Sequence, residues 1–314
     1  MSPSAIHPSL EVVAPVRKKA FGKGILRYFQ KTPSSIVCPH FWELNWAYGC
    51  PFDCAWCYLQ GTLWGKKEPR FVDLKRVLPT LEKAFDDKIL EPSIFNSGEL
   101  ADSLMNPSVM SIIADKFEEQ NKHKLLLLTK SNNVDFLLNR PRKQTIVSFS
   151  LNAPNVSKRW EKGAPSPEKR IEAAKKVSEV GYEVRIRIDP IVPIKNWETH
   201  YYNLVNMIFD AFEPNRITLG SLRGLFKTIK FCRDDSWVKY LVEDETGWGK
   251  KVGLALRLSL YSVVANHLKE EHDFSKIALC KETTEIWRKL GIDPGSYRGP
   301  NQNNWEKCKC NCVW

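Results

Sequence analysis

No stretch of this chain is apolar for long enough to span a membrane as a helix, which takes about 20 residues. The run Leu125-Leu126-Leu127-Leu128 is short and reads as a buried strand. The segment from Met1 to Pro15 lacks the charged start and apolar core of a signal peptide. Export is therefore not expected, and the expected location is cytoplasmic. No internal repeat and no low-complexity linker is visible. Between Val12 and Phe41 there is no acidic residue, while Arg17, Lys18, Lys19, Lys23, Arg27 and Lys31 are basic. That arm contributes to a net charge of +11 over 314 residues. Either it is a solvated basic arm or it contacts a polyanion, and the interleaved Phe21, Tyr28 and Phe29 favour nucleic acid.

What the chain does have is nine cysteines, and in a chain not expected to be exported these point to metal ligation rather than disulfides. Cys50, Cys54 and Cys57 form C-x3-C-x2-C, followed at once by Tyr58. Three thiolates on one tight loop can hold three corners of a [4Fe–4S] cubane and leave the fourth iron open to bind and activate a small molecule. A structural zinc site needs a fourth ligand, for which His40 is the near candidate. A disulfide with a spare thiol is the remaining reading.

After this loop the sequence alternates strand and helix patterns. Strands are expected at 41–48, 93–96, 124–129, 145–151, 182–188 and 216–219, with helices at 72–87, 107–120, 133–138, 166–180 and 197–212. Alternation of this kind implies an α/β fold with a parallel sheet, rolled by right-handed crossovers into a partial (β/α)6 TIM-like barrel. Chemistry then belongs at the C-terminal strand ends, which nominates Glu99, Lys130, Ser150, Asn152 and Asp189. The rhythm breaks near Gly220. The expected organisation is a basic arm over 1–40, a barrel core over 41–222 and a C-terminal extension over 223–314, with a helix near 248–271.

The cysteine motif and the strand–helix run resemble the radical S-adenosylmethionine (SAM) superfamily. The longer pattern is similar to spore photoproduct lyase and its relatives, in Glu43-Leu44, Gly49-Cys50, Cys57-Tyr58-Leu59, Leu128-Thr129-Lys130, Phe149-Ser150-Leu151-Asn152 and Gly163-Ala164-Pro165-Ser166. The resemblance implies reductive cleavage of SAM at a [4Fe–4S] cluster to a 5′-deoxyadenosyl radical that abstracts hydrogen from substrate, with an electron donor such as a flavodoxin or ferredoxin. It implies SAM contacts at Lys130 and Ser150, at Ser97 and Glu99 after the second strand, and at Asn152. It makes Tyr58 a radical-relay candidate.

The pattern departs from the family in two places. The hydrogen-returning cysteine expected after the second strand is Gly98 here, and Trp56 stands where a second relay tyrosine is expected. The C-terminus adds Cys308, Cys310 and Cys312 as C-x-C-x-C, with Cys280 as candidate fourth ligand. Four thiolates there suit an auxiliary [4Fe–4S] cluster or zinc, and a free cysteine-rich tail is the bland alternative. Cys38 and Cys232 read as buried thiols. The expected substrate is nucleic acid or nucleotide-derived, suggested also by Lys158-Arg159-Trp160 and the stretch 223–233. The rivals are modification of a peptide or small metabolite, and a non-catalytic zinc-stabilised nucleic-acid-binding module.

Overall fold

The computed structural model describes residues 20–33, 35–242, 247–299 and 304–314. Arg17, Lys18 and Lys19 of the expected basic arm lie outside them. The framework is one nine-stranded sheet whose spatial order follows the chain. The strands are β1 (Ala20–Phe21), β2 (Leu26–Phe29), β3 (Phe41–Leu44), β4 (Ile94–Asn96), β5 (Lys124–Thr129), β6 (Thr145–Leu151), β7 (Glu183–Ile191), β8 (Arg216–Ser221) and β9 (Ile277–Leu279). From β3 onward every pairing is parallel, and β1 and β2 add an antiparallel hairpin at one edge. The crossover helices include α1 (Leu74–Phe85), α2 (Pro107–Phe117), α3 (Asp135–Leu138), α4 (Pro167–Val180), α5 (Trp197–Ala211) and α6 (Leu254–His272). This is the expected α/β partial barrel, with both edges of the sheet left open.

The central strands form because their residues favour a pleat buried on both faces. Leu125 to Leu128 and the β-branched and aromatic side chains of β6 are almost entirely buried. The helices begin where their caps predict. Asp73 accepts from the Lys75 amide at 2.9 Å ahead of α1, and Asn106 accepts from the Val109 amide at 3.2 Å ahead of Pro107. Gly181 ends α4 at a φ of 103°.

Alternation along the strands divides the sheet into two faces. Phe95, Leu125, Leu127, Val147, Phe149, Val184 and Ile186 belong to the large core shared with the helices. Ile94, Leu126 and Ile146, on the opposite parity, form a separate cluster packed against Cys312 and Trp314. The C-terminal residues thus fill the inner face of the sheet.

Three expectations change. The first strand stops at Leu44, because Ala47 and Tyr48 pair instead with Arg70 and Phe71. The sheet does not end near 222, since β9 pairs in parallel with β8; three residues are too few to show a period. At the other end, β2 pairs with β3 and joins the expected arm to the sheet.

Candidate active site

A cavity of about 410 Å³ opens at the C-terminal ends of the parallel strands and is lined by Cys50, Cys54 and Cys57. The loop that carries them is held from several sides. Cys50 N–H donates to the Lys67 carbonyl at 2.8 Å and Ala55 N–H to the Trp160 carbonyl at 2.8 Å. The buried Gln60 amide donates to the Cys54 carbonyl at 2.8 Å and to the Ala55 carbonyl at 3.1 Å. Gly49 has a φ of 88°, and a Cβ there would meet the Lys67 and Glu68 carbonyl oxygens at 2.5 Å. Only glycine suits both that conformation and that approach.

Burial pushes the Cys50 thiol up to about 12, helped by Asp102 and Cys57, and burial pushes Cys54 higher still. A metal is bound by the thiolates, so loading this loop releases the thiol protons. Among the described residues, no three His, Cys, Asp or Glu side chains converge to hold a single metal ion. A cubane offers each thiolate its own iron, so its ligands need not converge on a point.

Lys130 lines the cavity, and its ammonium lies 3.5 Å from Glu161. Burial lowers its proton affinity, but Glu161 and Cys54 outweigh burial and raise it above the ordinary lysine value. The cation is therefore kept charged beside the cysteine loop. Glu161 is fixed in turn by Arg170 at 2.6 Å, both side chains being fully buried. Glu161 also pairs with Cys54 in a short antiparallel ladder, which ties this ionic cluster to the loop backbone. Asp102 holds the Lys130 amide at 2.7 Å and the Thr129 hydroxyl at 2.7 Å. Glu161, Arg170 and Asp102 went unrecognised in the sequence because their partners are distant along the chain.

The other expected site residues divide. Ser150, Glu99 and Tyr58 line the cavity. The Tyr58 hydroxyl donates to the Glu99 carbonyl, and the Glu99 carboxylate accepts from Asn96 Nδ2 at 2.9 Å. Ser97 and Asn152 do not line it. The Ser97 hydroxyl is engaged by Ser103 at 2.8 Å and the Leu126 carbonyl at 3.0 Å. The Asn152 side chain donates to the Pro190 carbonyl at 2.9 Å and accepts from Tyr201 at 2.8 Å, so it shapes the end of β7. Asp189, at that end, binds Arg187 at 2.5 Å and Arg223 at 2.9 Å. Burial pushes the Asp189 carboxyl up, but the two guanidiniums outweigh it and hold it well below the usual carboxylate range. Trp160 is fully buried and unavailable for stacking. Phe29, Phe52, Trp56 and Trp248 instead give the cavity aromatic walls, alongside the cations Arg27, Lys130, Arg187, Arg223 and Lys281.

A family model described as spore photoproduct lyase matches residues 24–223. The chain belongs to the spore photoproduct lyase family. The spore photoproduct lyase of Bacillus subtilis (strain 168) is 30% identical over 181 residues, covering 56% of this chain and 53% of that protein. That of Geobacillus sp. (strain Y412MC61) is 29% identical over 163 residues, covering 50% of this chain and 48% of that protein. The chain thus spans about half the length of these curated relatives. Among solved structures, spore photoproduct lyase complexed with dinucleoside spore photoproduct superposes with a TM-score of 0.66 at 22% identity, over 81% of this chain and 78% of that one. A variant of the lyase with bound AdoMet and the same dinucleoside gives 0.65 at 22%, over 81% and 78%. These likenesses establish the fold.

Gly98 stands where the sequence resemblance leads to the expectation of a hydrogen-returning cysteine. A Cβ at that position would meet both Cβ and the carbonyl oxygen of Leu128 at 2.6 Å. The backbone of β5 therefore excludes a cysteine there as the site is built.

Proposed function

We propose that the chain is a radical SAM enzyme in which Cys50, Cys54 and Cys57 hold a [4Fe–4S] cluster whose fourth iron is left to SAM. The observation that carries this is the convergence of the three cysteines, Lys130, Ser150 and Glu99 on one cavity at the C-terminal strand ends. When bound, the cluster and SAM supply one-electron reductive cleavage of SAM and, with it, hydrogen-atom abstraction from substrate. An external flavodoxin or ferredoxin supplies the electron.

The chain's own residues bind and orient. Lys130, kept cationic by Glu161, attracts the SAM carboxylate. Ser150 offers a hydroxyl on the next strand. Glu99, oriented by Asn96, attracts the SAM ammonium. Tyr58 closes the wall between the cysteine loop and Glu99, and its burial pushes its proton affinity well above the ordinary phenol value. It therefore stays neutral. Ser97 and Asn152 act as positioning residues, through the backbone of β5 and the end of β7.

The substrate class supported best is a nucleotide-derived group or a nucleic acid. Lys281 lies over the Trp248 ring at 5.2 Å and the Phe29 ring at 6.0 Å, both of them cavity walls. An aromatic wall beside guanidinium and ammonium groups suits a base and its phosphate. The test is anaerobic turnover with SAM and deuterated thymine dinucleotide photoproduct, oligonucleotides or peptides. Deuterium recovered in 5′-deoxyadenosine from a nucleotide substrate, with salt-sensitive binding, is the expected result. Deuterium recovered only from a peptide or small metabolite would overturn the substrate class while leaving the radical chemistry intact.

A further inference from the structure

Five of the cysteines stand apart from the loop that lines the cavity, and they lie close to one another. Cys310 touches both Cys308 and Cys312. Cys38 lies within electrostatic reach of Cys280 and Cys312, and Cys310 within reach of Cys38. The ladder that pairs Val37 with Glu282 explains why two residues so far apart in sequence as Cys38 and Cys280 become neighbours. None of the nine cysteines is in a disulfide.

The chain fixes these thiols in place. The Arg185 guanidinium donates to the carbonyls of Asn311 at 2.5 Å and Val313 at 2.7 Å. Arg216 donates to the carbonyls of Cys310 at 3.1 Å and Val313 at 3.0 Å. Ser148 donates to the Asn311 side chain at 2.8 Å. A turn at Asn311 and Cys312 lets the extended run swing back, with the Val313 amide donating to the Cys310 carbonyl at 3.4 Å. The tail is docked, not free.

The surroundings are strongly cationic. Arg187 donates to Cys280 Sγ at 3.1 Å and Arg223 to the same sulfur at 3.6 Å. Arg216 faces Cys310 and Cys308, and Lys281 faces Cys38 and Cys280. Asp189 and Glu99 answer Arg187 and Arg223, and Lys281 and Arg216 add further positive charge. A protonated thiol does not call for such an array, whereas a set of thiolates carrying a net negative cluster does. The same side chains reach the first site. Glu99 and Arg187 both face Tyr58, and both face Cys312.

We propose that Cys38, Cys280, Cys310 and Cys312 hold a second [4Fe–4S] cluster, on the inner face of the sheet and across the cavity floor from Cys50, Cys54 and Cys57. Cys308 is left outside the ligand set because its sulfur faces Cys310, whereas Cys310 and Cys312 both reach Cys38. All four irons then have a thiolate, so this cluster differs from the first in having no open position for SAM.

The test is iron and acid-labile sulfide content, with electron paramagnetic resonance (EPR), on the full chain reconstituted anaerobically. Wild type is expected to bind about eight irons, in two clusters of four. The triple variant Cys50→Ala/Cys54→Ala/Cys57→Ala is expected to keep about four, with a reduced-cluster signal that SAM does not perturb. Each of Cys38→Ala, Cys280→Ala, Cys310→Ala and Cys312→Ala is expected to fall to about four while the SAM-responsive signal survives. Cys308→Ala should retain about eight. Only about four irons in wild type, zinc in place of iron in the triple variant, or full iron in Cys38→Ala would each overturn the proposal.

Discussion

At the scale of single residues, a buried ionic cluster stands behind the cysteine loop. Lys130 and Arg170 share Glu161, which has no exposure. Burial pushes the Glu161 carboxyl up, but Lys130 and Arg170 outweigh burial and hold it below the ordinary value. Its ionised form therefore stabilises the fold above the usual glutamate range and loses that contribution as pH falls below about 4. Replacing Glu161→Gln leaves two cations facing a neutral amide, which costs about 3 kcal/mol when the partner is buried. The expected outcome is a lower urea midpoint for the metal-free variant at pH 7, with the gap to wild type narrowing in acid. An unchanged midpoint would mean that the cluster is better solvated than its burial implies. Lys130 was legible in the sequence as a strand-end cation. Glu161 was not, because it occupies a two-residue strand after a helix whose pattern says nothing of Cys54.

At the scale of elements, the strands with the strongest composition were the easiest to read. The segments 124–129 and 145–151 are bounded in the structure as their residues predict. Ser97 and Asn152 were chosen by their place at strand ends, yet neighbouring side chains absorb their polar groups. Position along a strand does not by itself reveal which way a polar group is satisfied. The tail is the element the sequence describes least. Its contacts are with Arg185 and Arg216, more than ninety residues away, and no local pattern announces them. Arg216→Gln removes a charged donor from four tail carbonyls, those of Lys309, Cys310, Val313 and Trp314, worth about 2 kcal/mol. We expect this variant, without metal, to alkylate faster at Cys308 and Cys310 than wild type does. Equal alkylation rates would mean that the tail is held by its apolar side chains alone.

At the scale of the whole molecule, the arrangement explains how one sheet carries two cysteine groups far apart in sequence. The parallel sheet brings its C-terminal ends together at the mouth, and the returning chain adds β9 and then packs its last residues against the inner face. The run of parallel strands from Lys124–Thr129 to Arg216–Ser221 was legible because alternation of strand and helix carries its own topology. The continuation of the sheet beyond it was not, since β9 is short and follows a long helix. Among the described residues no helix is long and apolar enough to cross a membrane. The positive charge foreseen from composition proves to be partly internal, in Arg187, Arg223 and Lys281 around the cavity. There it is positioned to act on a ligand as well as on the surface field.

The most direct measurement of the central claim is 5′-deoxyadenosine formed from SAM by the anaerobically reconstituted, dithionite-reduced chain, compared with Cys54→Ala. Cys54 is the most deeply buried of the three cysteines and is tied to Glu161 by its backbone pairing. The account predicts SAM cleavage by wild type and its loss, by at least about a hundredfold, in the variant. Equal cleavage by the two proteins, or none by an iron-loaded wild type, would contradict it.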